Sequence, residues 1–263
     1  MNTVFTMDAK GGICKSLVSE LLSSAAVGAG LKVARADTDT SNSSFKTIYP
    51  DAKFIVVAEN NVKAGGELAA AILDAAESGA DLFVVDTGAR DEARILQNFD
   101  QVLKASAEIA GRVVVMRPVN LNLAVHNNAL KFTERFAPDG SVSVIFVPSV
   151  ACGRSITDFD IVWTDLELHK KFLQLPNVAE FLLEDLGAVY AENMTLARCP
   201  LRDIVAGHFN IDPKAPPIIR ERLEKIYDRA ARRHIANWLQ IHEKRCLDAL
   251  IKVGGVKAVK AAA

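Results

Sequence analysis

An α/β fold, with a mostly parallel sheet covered by helices on both faces, is predicted by three features of the 263-residue sequence. Leu82–Val85 and Val113–Met116 are short, continuous apolar runs and Val142–Val147 is one interrupted only by Ser143, the pattern of strands buried on both faces. Stretches with apolar residues at helical spacing separate them, and strands alternating with helices predict a parallel sheet. At the N-terminus, Val4, Phe5 and Met7 run into a glycine turn followed by Lys-Ser and a helical pattern, which reads as strand, turn, helix.

Each element has its own signal. Leu17, Val18, Leu21, Leu22, Ala25 and Ala26 recur at helical spacing, and Gly28 and Gly30 end that helix. Leu31–Ala36 reads as a strand entering Asp37-Thr38-Asp39, and Phe54–Ala58 as a further apolar run. Leu68–Ala76 is an Ala-rich helix after a Gly65-Gly66 turn, and Leu82–Val85 ends in Asp86-Thr87-Gly88. A helix over Ala93–Ala110, the Val113–Met116 strand, a helix over Leu121–Phe136 and the Val142–Val147 strand follow. Right-handed crossovers place the strand C-terminal ends, and with them a ligand, along one sheet edge.

After Pro148 the strand rhythm stops. Residues 151–215 predict short helices and a long connection; Ile218–Val253 predicts one long helix or two, opened by the prolines at 213–217. Trp238 is expected in the core, and the last eleven residues as a loose tail. This divides the chain into a core over 1–150 and a mainly helical region over 151–263 packed on it.

The net charge is −1 with a pI near 6.5, so no global attraction to nucleic acid follows. Apolar residues make up half the chain, yet no run approaches the ~20 residues of a membrane span. Cys14, Cys152, Cys199 and Cys246 lie far apart with no C-x-x-C pair, the usage of reduced thiols. With no secretory leader pattern at the start, a soluble cytoplasmic protein is expected.

The chemistry concentrates in Asp8-Ala9-Lys10-Gly11-Gly12-Ile13-Cys14-Lys15-Ser16. Main-chain N–H groups of such a turn and the positive end of the following helix cradle phosphate. Lys15 would reach the β- and γ-phosphates, and the Ser16 hydroxyl would ligate Mg²⁺. Ala9 and Cys14 stand where the common phosphate loop has glycines; Cys14 is tolerable there with a negative φ and its side chain turned away. A Gly-Gly turn with two solvated lysines is the alternative.

Lys10-Gly11-Gly12-x-x-Lys15-Ser16 resembles the deviant phosphate loop, K-G-G-x-G-K-[ST], of the partition and septum-site ATPases, the ParA/MinD family. The resemblance covers about residues 1–150 and implies the P-loop NTPase fold of the deviant class. It implies ATP and Mg²⁺ as ligands, with ATP held by Lys10, Gly11, Gly12, Ile13, Cys14, Lys15, Ser16 and Leu17. Lys10 would cross an ATP-sandwiched homodimer into the partner's site. Asp37 and Asp39 occupy the family's D-x-D position, holding the hydrated Mg²⁺ and the attacking water. Asp86 resembles the Mg²⁺-side aspartate of the third motif and Thr87–Arg90 the switch, although the family's prolines are missing there. The catalytic set is thus Lys10, Lys15, Asp37 and Asp39, and the metal set Ser16, Asp37 and Asp86. The Asp37-Thr38-Asp39-x-x-Asn42-x-x-Phe45 stretch looks like that of plasmid conjugal-transfer and stability ATPases.

Asn120, Asn122, Asn127 and Asn128 fall at the nucleotide edge or serve as loop and cap residues. Pro148 and Ser149 lie where related folds cradle adenine. Arg229, Arg232 and Arg233 share a helical face suited to DNA phosphates, or to solvent and local ion pairs. Three functions stay open: a dimerising Mg²⁺-ATPase of plasmid transfer, stability or partition, with DNA and a plasmid-encoded protein as partners; an ATP-dependent synthetase or ligase with His169 and Arg154 in its pocket; and a nucleotide-binding scaffold with little turnover.

Overall fold

The computed structural model describes residues 1–11, 14–57, 63–149 and 163–256. Their strands are β1 (Asn2–Thr6), β2 (Val33–Asp37), β3 (Lys53–Phe54), β4 (Leu82–Asp86), β5 (Val113–Val119), β6 (Val142–Pro148) and β7 (Val178–Glu180). All pair in parallel in one sheet of order β3-β2-β4-β1-β5-β6-β7. β4, β5 and β6 are buried along their whole length, as their largely apolar sequences require, and the burial takes in Asp86, Arg117 and Ser143. The register aligns Thr6 and Asp37 with Asp86 on neighbouring strands, so three chain segments end side by side.

The helices are α1 (Lys15–Gly28), α2 (Ser44–Ile48), α3 (Lys63–Glu77), α4 (Glu92–Gln97), α5 (Phe99–Glu108) and α6 (Leu123–Phe136). Beyond β6 follow α7 (Leu166–Leu173), α8 (Ala188–Ala197), α9 (Leu201–Ala206), α10 (Pro217–Ile226) and α11 (Arg229–Lys252). Two apolar clusters fill the two faces of the sheet. Val4, Val84, Val114 and Ile145 meet α1 and the C-terminal helices, while Phe5, Val85, Val115 and Phe146 meet the layer of α3 to α7. Alternate residues of each strand thus serve opposite faces.

Several elements differ from the sequence reading. A strand, β7, lies within 151–215 and extends the sheet past β6, which places part of the C-terminal region in the central layer. Gly65 and Gly66 sit inside α3 rather than before it; a Cβ at Gly65 would come within 2.5 Å of Asn98 Cβ, so glycine lets α3 approach the α4–α5 junction closely. The expected Ala93–Ala110 helix is two helices broken at Asn98, and the Phe54–Ala58 run supplies only the two-residue β3. The Ile218–Val253 stretch is two helices, with Pro217 at the first turn of α10. The start of the expected tail is anchored: Gly255 O accepts from Asn2 Nδ2 at 2.6 Å and Val253 is buried. Ala58, Cys152 and residues 257–263 lie outside the described residues.

α11 and α9 cover the outer side of α1, which explains why Glu20, bonded to Leu201, and Ser24, bonded to Glu243, are buried on a helix that also faces the sheet. Arg202 clamps this layer, donating to Glu243 Oε1 and Oε2 at 2.9 and 2.7 Å and to Ser24 Oγ at 2.8 Å. Trp238 is in the core as expected, its Nε1–H donating to Glu184 O at 3.0 Å. His242, its pKa lowered by burial, accepts the Glu184 N–H through Nε2 at 3.0 Å, so Nδ1 carries the proton shared with Trp238 O.

Glu20 gives this layer a pH dependence. It is fully buried; Oε1 accepts the Leu201 N–H at 3.0 Å, acting as cap for α9, whose N-cap is Pro200. Burial pushes its pKa up to about 8, with Glu243 raising it further and Leu201 N–H, Arg202 and Arg35 opposing. The native carboxyl keeps a proton that the unfolded chain releases above about 4.5, so stability falls as pH rises from there towards 8. The slope from this one group is at most about 1.4 kcal/mol per pH unit. Glu20→Gln is expected to melt increasingly above the wild type as pH goes from 5 to 8. A thermal-melt difference that stays constant over that range would show Glu20 ionised in the native state.

Candidate functional site

The loop between β1 and α1 lies at the C-terminal edge of the sheet, flanked by the ends of β2 and β4. Its first residues are fixed by Asp8, buried, whose Oδ1 accepts the Lys10 N–H at 2.8 Å. The Lys10 side chain is exposed. Lys15 turns back into the loop and donates from Nζ to Lys10 O at 2.7 Å, with 8% of the residue exposed. Burial lowers its pKa, while the carboxylates of Asp86, Asp8, Asp39 and Glu92 act in the opposite direction. Leu17 packs its side chain in the core beside Val4. Gly12 and Ile13 lie outside the described residues.

Cys14 departs from expectation. Its φ of 66° and ψ of 24° are left-handed, not the negative φ expected for a residue with a Cβ. The chain turns sharply there into α1, and the Cys14 carbonyl already accepts the Val18 N–H at 3.0 Å. A non-glycine residue in that conformation costs about 1–2 kcal/mol, which the anchored strand and helix on either side must offset.

Asp86 sits behind the loop, 1% exposed, and accepts Ser16 Oγ–H at 2.7 Å and Ser19 Oγ–H at 2.8 Å. Burial is the main cause that pushes its pKa up to about 7, and Asp37 adds to it; the serine hydrogen bonds and Lys15 oppose. Asp37, also buried, accepts the Asp39 and Lys46 N–H groups, each at 2.8 Å, and burial pushes it up to about 6. Asp39 is half-buried, and its Oδ1 takes the Ser41 and Asn42 N–H groups at 2.9 and 3.0 Å. Asp37 thus shapes the turn that presents Asp39.

The segment after Asp86 closes onto this turn. Thr38 Oγ–H donates to Asp91 Oδ2 at 2.8 Å and accepts the Gly88 N–H at 3.3 Å. A Cβ at Gly88 would meet Asp91 Oδ2 at 2.5 Å and Asp39 Cα at 3.1 Å, so glycine is required for this approach. On the other side Gly11 faces Ala89, whose Cβ lies 3.8 Å from where a Gly11 Cβ would stand. Arg90 is exposed. The structure therefore brings Lys10, Gly11, Cys14, Lys15, Ser16, Asp37, Asp39 and Asp86 to one sheet edge.

Other sequence candidates have plainer surroundings. Asn122 caps α6 by accepting the Ala124 N–H at 3.0 Å, Asn120 accepts the Asn122 N–H, and Asn127 accepts from Thr164 Oγ. Ser149, after Pro148, donates its N–H to Val119 O at 2.7 Å. His169 is buried, stacked on Trp163 with ring centroids 3.9 Å apart and bonded to Glu180 at 2.9 Å. Arg154 lies outside the described residues. Sequence reasoning missed Asp8, Ser19, Thr38, Asp91, Glu92 and Arg117, which hold the site from behind. An acid directly after a β-strand, as at Asp8, was the available signal for one of them.

No family model and no curated protein matches the sequence. Among solved structures, the chain is similar to pnob8 ParA, with a TM-score of 0.52 at 11% identity over 91% of this chain and 99% of that one. It also aligns with the septum site-determining protein MinD of Pyrococcus horikoshii OT3, solved with Mg-ADP, at a TM-score of 0.49 and 15% identity over 89% and 94%. Chloroplast FtsY from Physcomitrella patens gives 0.44 and 18% identity, and this chain spans only 55% of it. The shared feature is the fold, a parallel sheet flanked by helices as in P-loop NTPases, which is the fold class expected from the sequence.

Proposed function

We propose that the chain is a Mg²⁺-dependent ATPase that binds ATP through Lys10–Leu17 and works as a nucleotide-switched homodimer in plasmid transfer, stability or partition. The observation that carries this reading is the Ser16–Asp86 hydrogen bond of 2.7 Å, set beside the buried Lys15 amine and in register with Asp37. Hydroxyl and carboxylate oxygens are hard donors that suit Mg²⁺, so the residues present fit the ion. Among the described residues no group of three or more His, Cys, Asp or Glu is placed to hold a metal alone. Ser16, Asp86 and Asp37 would hold Mg²⁺ together with phosphate and water. Bound there, the ion would neutralise charge on the phosphate oxygens.

Lys15 would leave the Lys10 carbonyl to meet phosphate, and the main-chain N–H groups from Gly11 to Leu17 would cradle it. Asp39, presented by the Asp37 turn, would orient the attacking water; phosphoryl transfer needs positioning more than a strong base. Lys10 would act in the partner's site. The exposed Arg229 and Arg233 support contact with DNA phosphates, while the half-buried Arg232 packs beside Gly207. No helix among the described residues is long and apolar enough to cross a membrane. The burial of His169 against Trp163 removes the main support for a ligase pocket.

The test is phosphate release from ATP·Mg²⁺ by Asp37→Ala and Asp39→Ala proteins. Both are expected to retain ATP and to lose hydrolysis by more than tenfold. Asp37→Ala should also lose about 1–3 kcal/mol of stability, because two main-chain N–H groups lose their acceptor. Wild-type rates in both variants would reduce the D-x-D segment to a turn.

A further inference from the structure

We propose that Arg117 is a positioning residue of the nucleotide site: it fixes the turn that bears Lys10 and ties that turn to the segment following Asp86. The inference rests on the ATPase reading and assigns a role to a residue that no phosphate-loop motif contains. Arg117 lies near the end of β5 and is wholly buried, although a guanidinium is costly to remove from water. Its Nη2–H donates to Asp8 Oδ2 at 2.8 Å, and its Nη1–H donates to Glu92 Oε1. The Phe132 ring of α6 lies under the guanidinium, 5.0 Å from Cζ to centroid.

Two structural tasks divide along this fork. Asp8 uses one oxygen for Arg117 and the other for the Lys10 N–H, so Arg117 sets the carboxylate plane that orients the start of the loop. Glu92 is the first residue of α4 and follows Asp91, which receives the Thr38 hydroxyl between Asp37 and Asp39. Hydrogen bonds therefore link Lys10 through Asp8 and Arg117 to Glu92, and the main chain carries the link on to Asp91, which bonds the D-x-D turn. A cavity of about 310 Å³, lined by Ala9, Glu92, Leu96, Asn128, Phe132 and Phe136 among others, adjoins this link. Two carboxylates around one cation leave excess negative charge, and burial raises the Asp8 pKa. A core built only for stability would be served as well by apolar residues.

The experiment compares the wild type with a neutral replacement of the whole fork, Asp8→Asn with Glu92→Gln and Arg117→Met, which leaves no unpaired buried charge. The readouts are thermal melting, ATP·Mg²⁺ affinity by calorimetry, molar mass with a slowly hydrolysed ATP analogue, and kcat and KM for ATP. The expected result is a folded protein whose ATP affinity and KM stay within threefold while kcat falls at least tenfold and the analogue-dependent mass increase is lost. In a Lys10→Ala background the same replacement should change kcat less than twofold, since both act through Lys10. If the triple variant does not fold, Asp8→Asn alone is read by the same criteria. Wild-type kcat in a folded variant, a loss confined to ATP affinity, or full additivity with Lys10→Ala would overturn the role of Arg117. A wild type that neither binds nor hydrolyses ATP overturns the ATPase reading itself, and this inference with it.

Discussion

Lys15→Ala is expected to abolish tight ATP·Mg²⁺ binding while leaving the protein folded. In the structure the Lys15 amine donates to Lys10 O, inside a loop whose neighbours are Asp86, Asp8, Asp39 and Glu92. Removing it takes away the buried cation that offsets these carboxylates, so the loop would present net negative charge to a polyanion. A charge-assisted hydrogen bond contributes about 1.5–3 kcal/mol, and exposing phosphate to the unbalanced acids adds to the loss. About 3 kcal/mol is already roughly a hundredfold in affinity. Folding should suffer little, because the apolar core on both sides of β1 does not include Lys15. Anisotropy of a fluorescent ATP analogue, with melting curves alongside, checks both halves. Affinity within threefold of the wild type would remove the loop assignment and the function built on it.

Lys10→Ala should separate binding from turnover. Both main-chain groups of Lys10 are engaged within the chain, its N–H by Asp8 and its carbonyl by Lys15, yet its side chain extends into solvent. On the proposed reading Lys15 supplies the cation that a phosphate loop needs in its own subunit, so a second lysine would find its use across a two-fold axis. There it would neutralise charge on the phosphoryl group in transfer, as an arginine finger does in trans. Symmetry doubles the effect, because one substitution removes two contacts per dimer. The variant is expected to bind ATP near wild-type affinity, to stay at the monomer mass with a slowly hydrolysed analogue, and to lose hydrolysis by about 10³-fold or more. Light scattering reads the mass directly. A wild-type analogue-dependent mass increase that survives the substitution would confine Lys10 to its own subunit.

The parts of this fold that could be read from the sequence are those whose signals are local. Leu82–Val85 and Val113–Met116 are apolar without interruption, and a strand buried on both faces admits little else. The Lys10–Ser16 turn and Asp86 were legible because strand, loop and helix follow one another directly. β7 was not, since three residues at a sheet edge just after a proline-bearing loop carry no periodicity. Arg117 reads as the polar end of a strand; its partners stand 109 and 25 positions away, and their meeting is decided by strand order. Glu20 looks like an exposed helical residue until α9 and α11 close over α1. At Cys14 the local steric preference is for a negative φ, and tertiary anchoring overrides it.

The central claim is that the loop from Lys10 to Leu17 holds ATP with Mg²⁺, and calorimetric titration of ATP into the wild-type chain, with and without Mg²⁺, tests it most directly. The account predicts saturable binding of one nucleotide per chain that tightens when Mg²⁺ is present, because Ser16, Asp37 and Asp86 then take part. Absence of saturable heat under both conditions, with the protein shown to be folded by its melting curve, would contradict it.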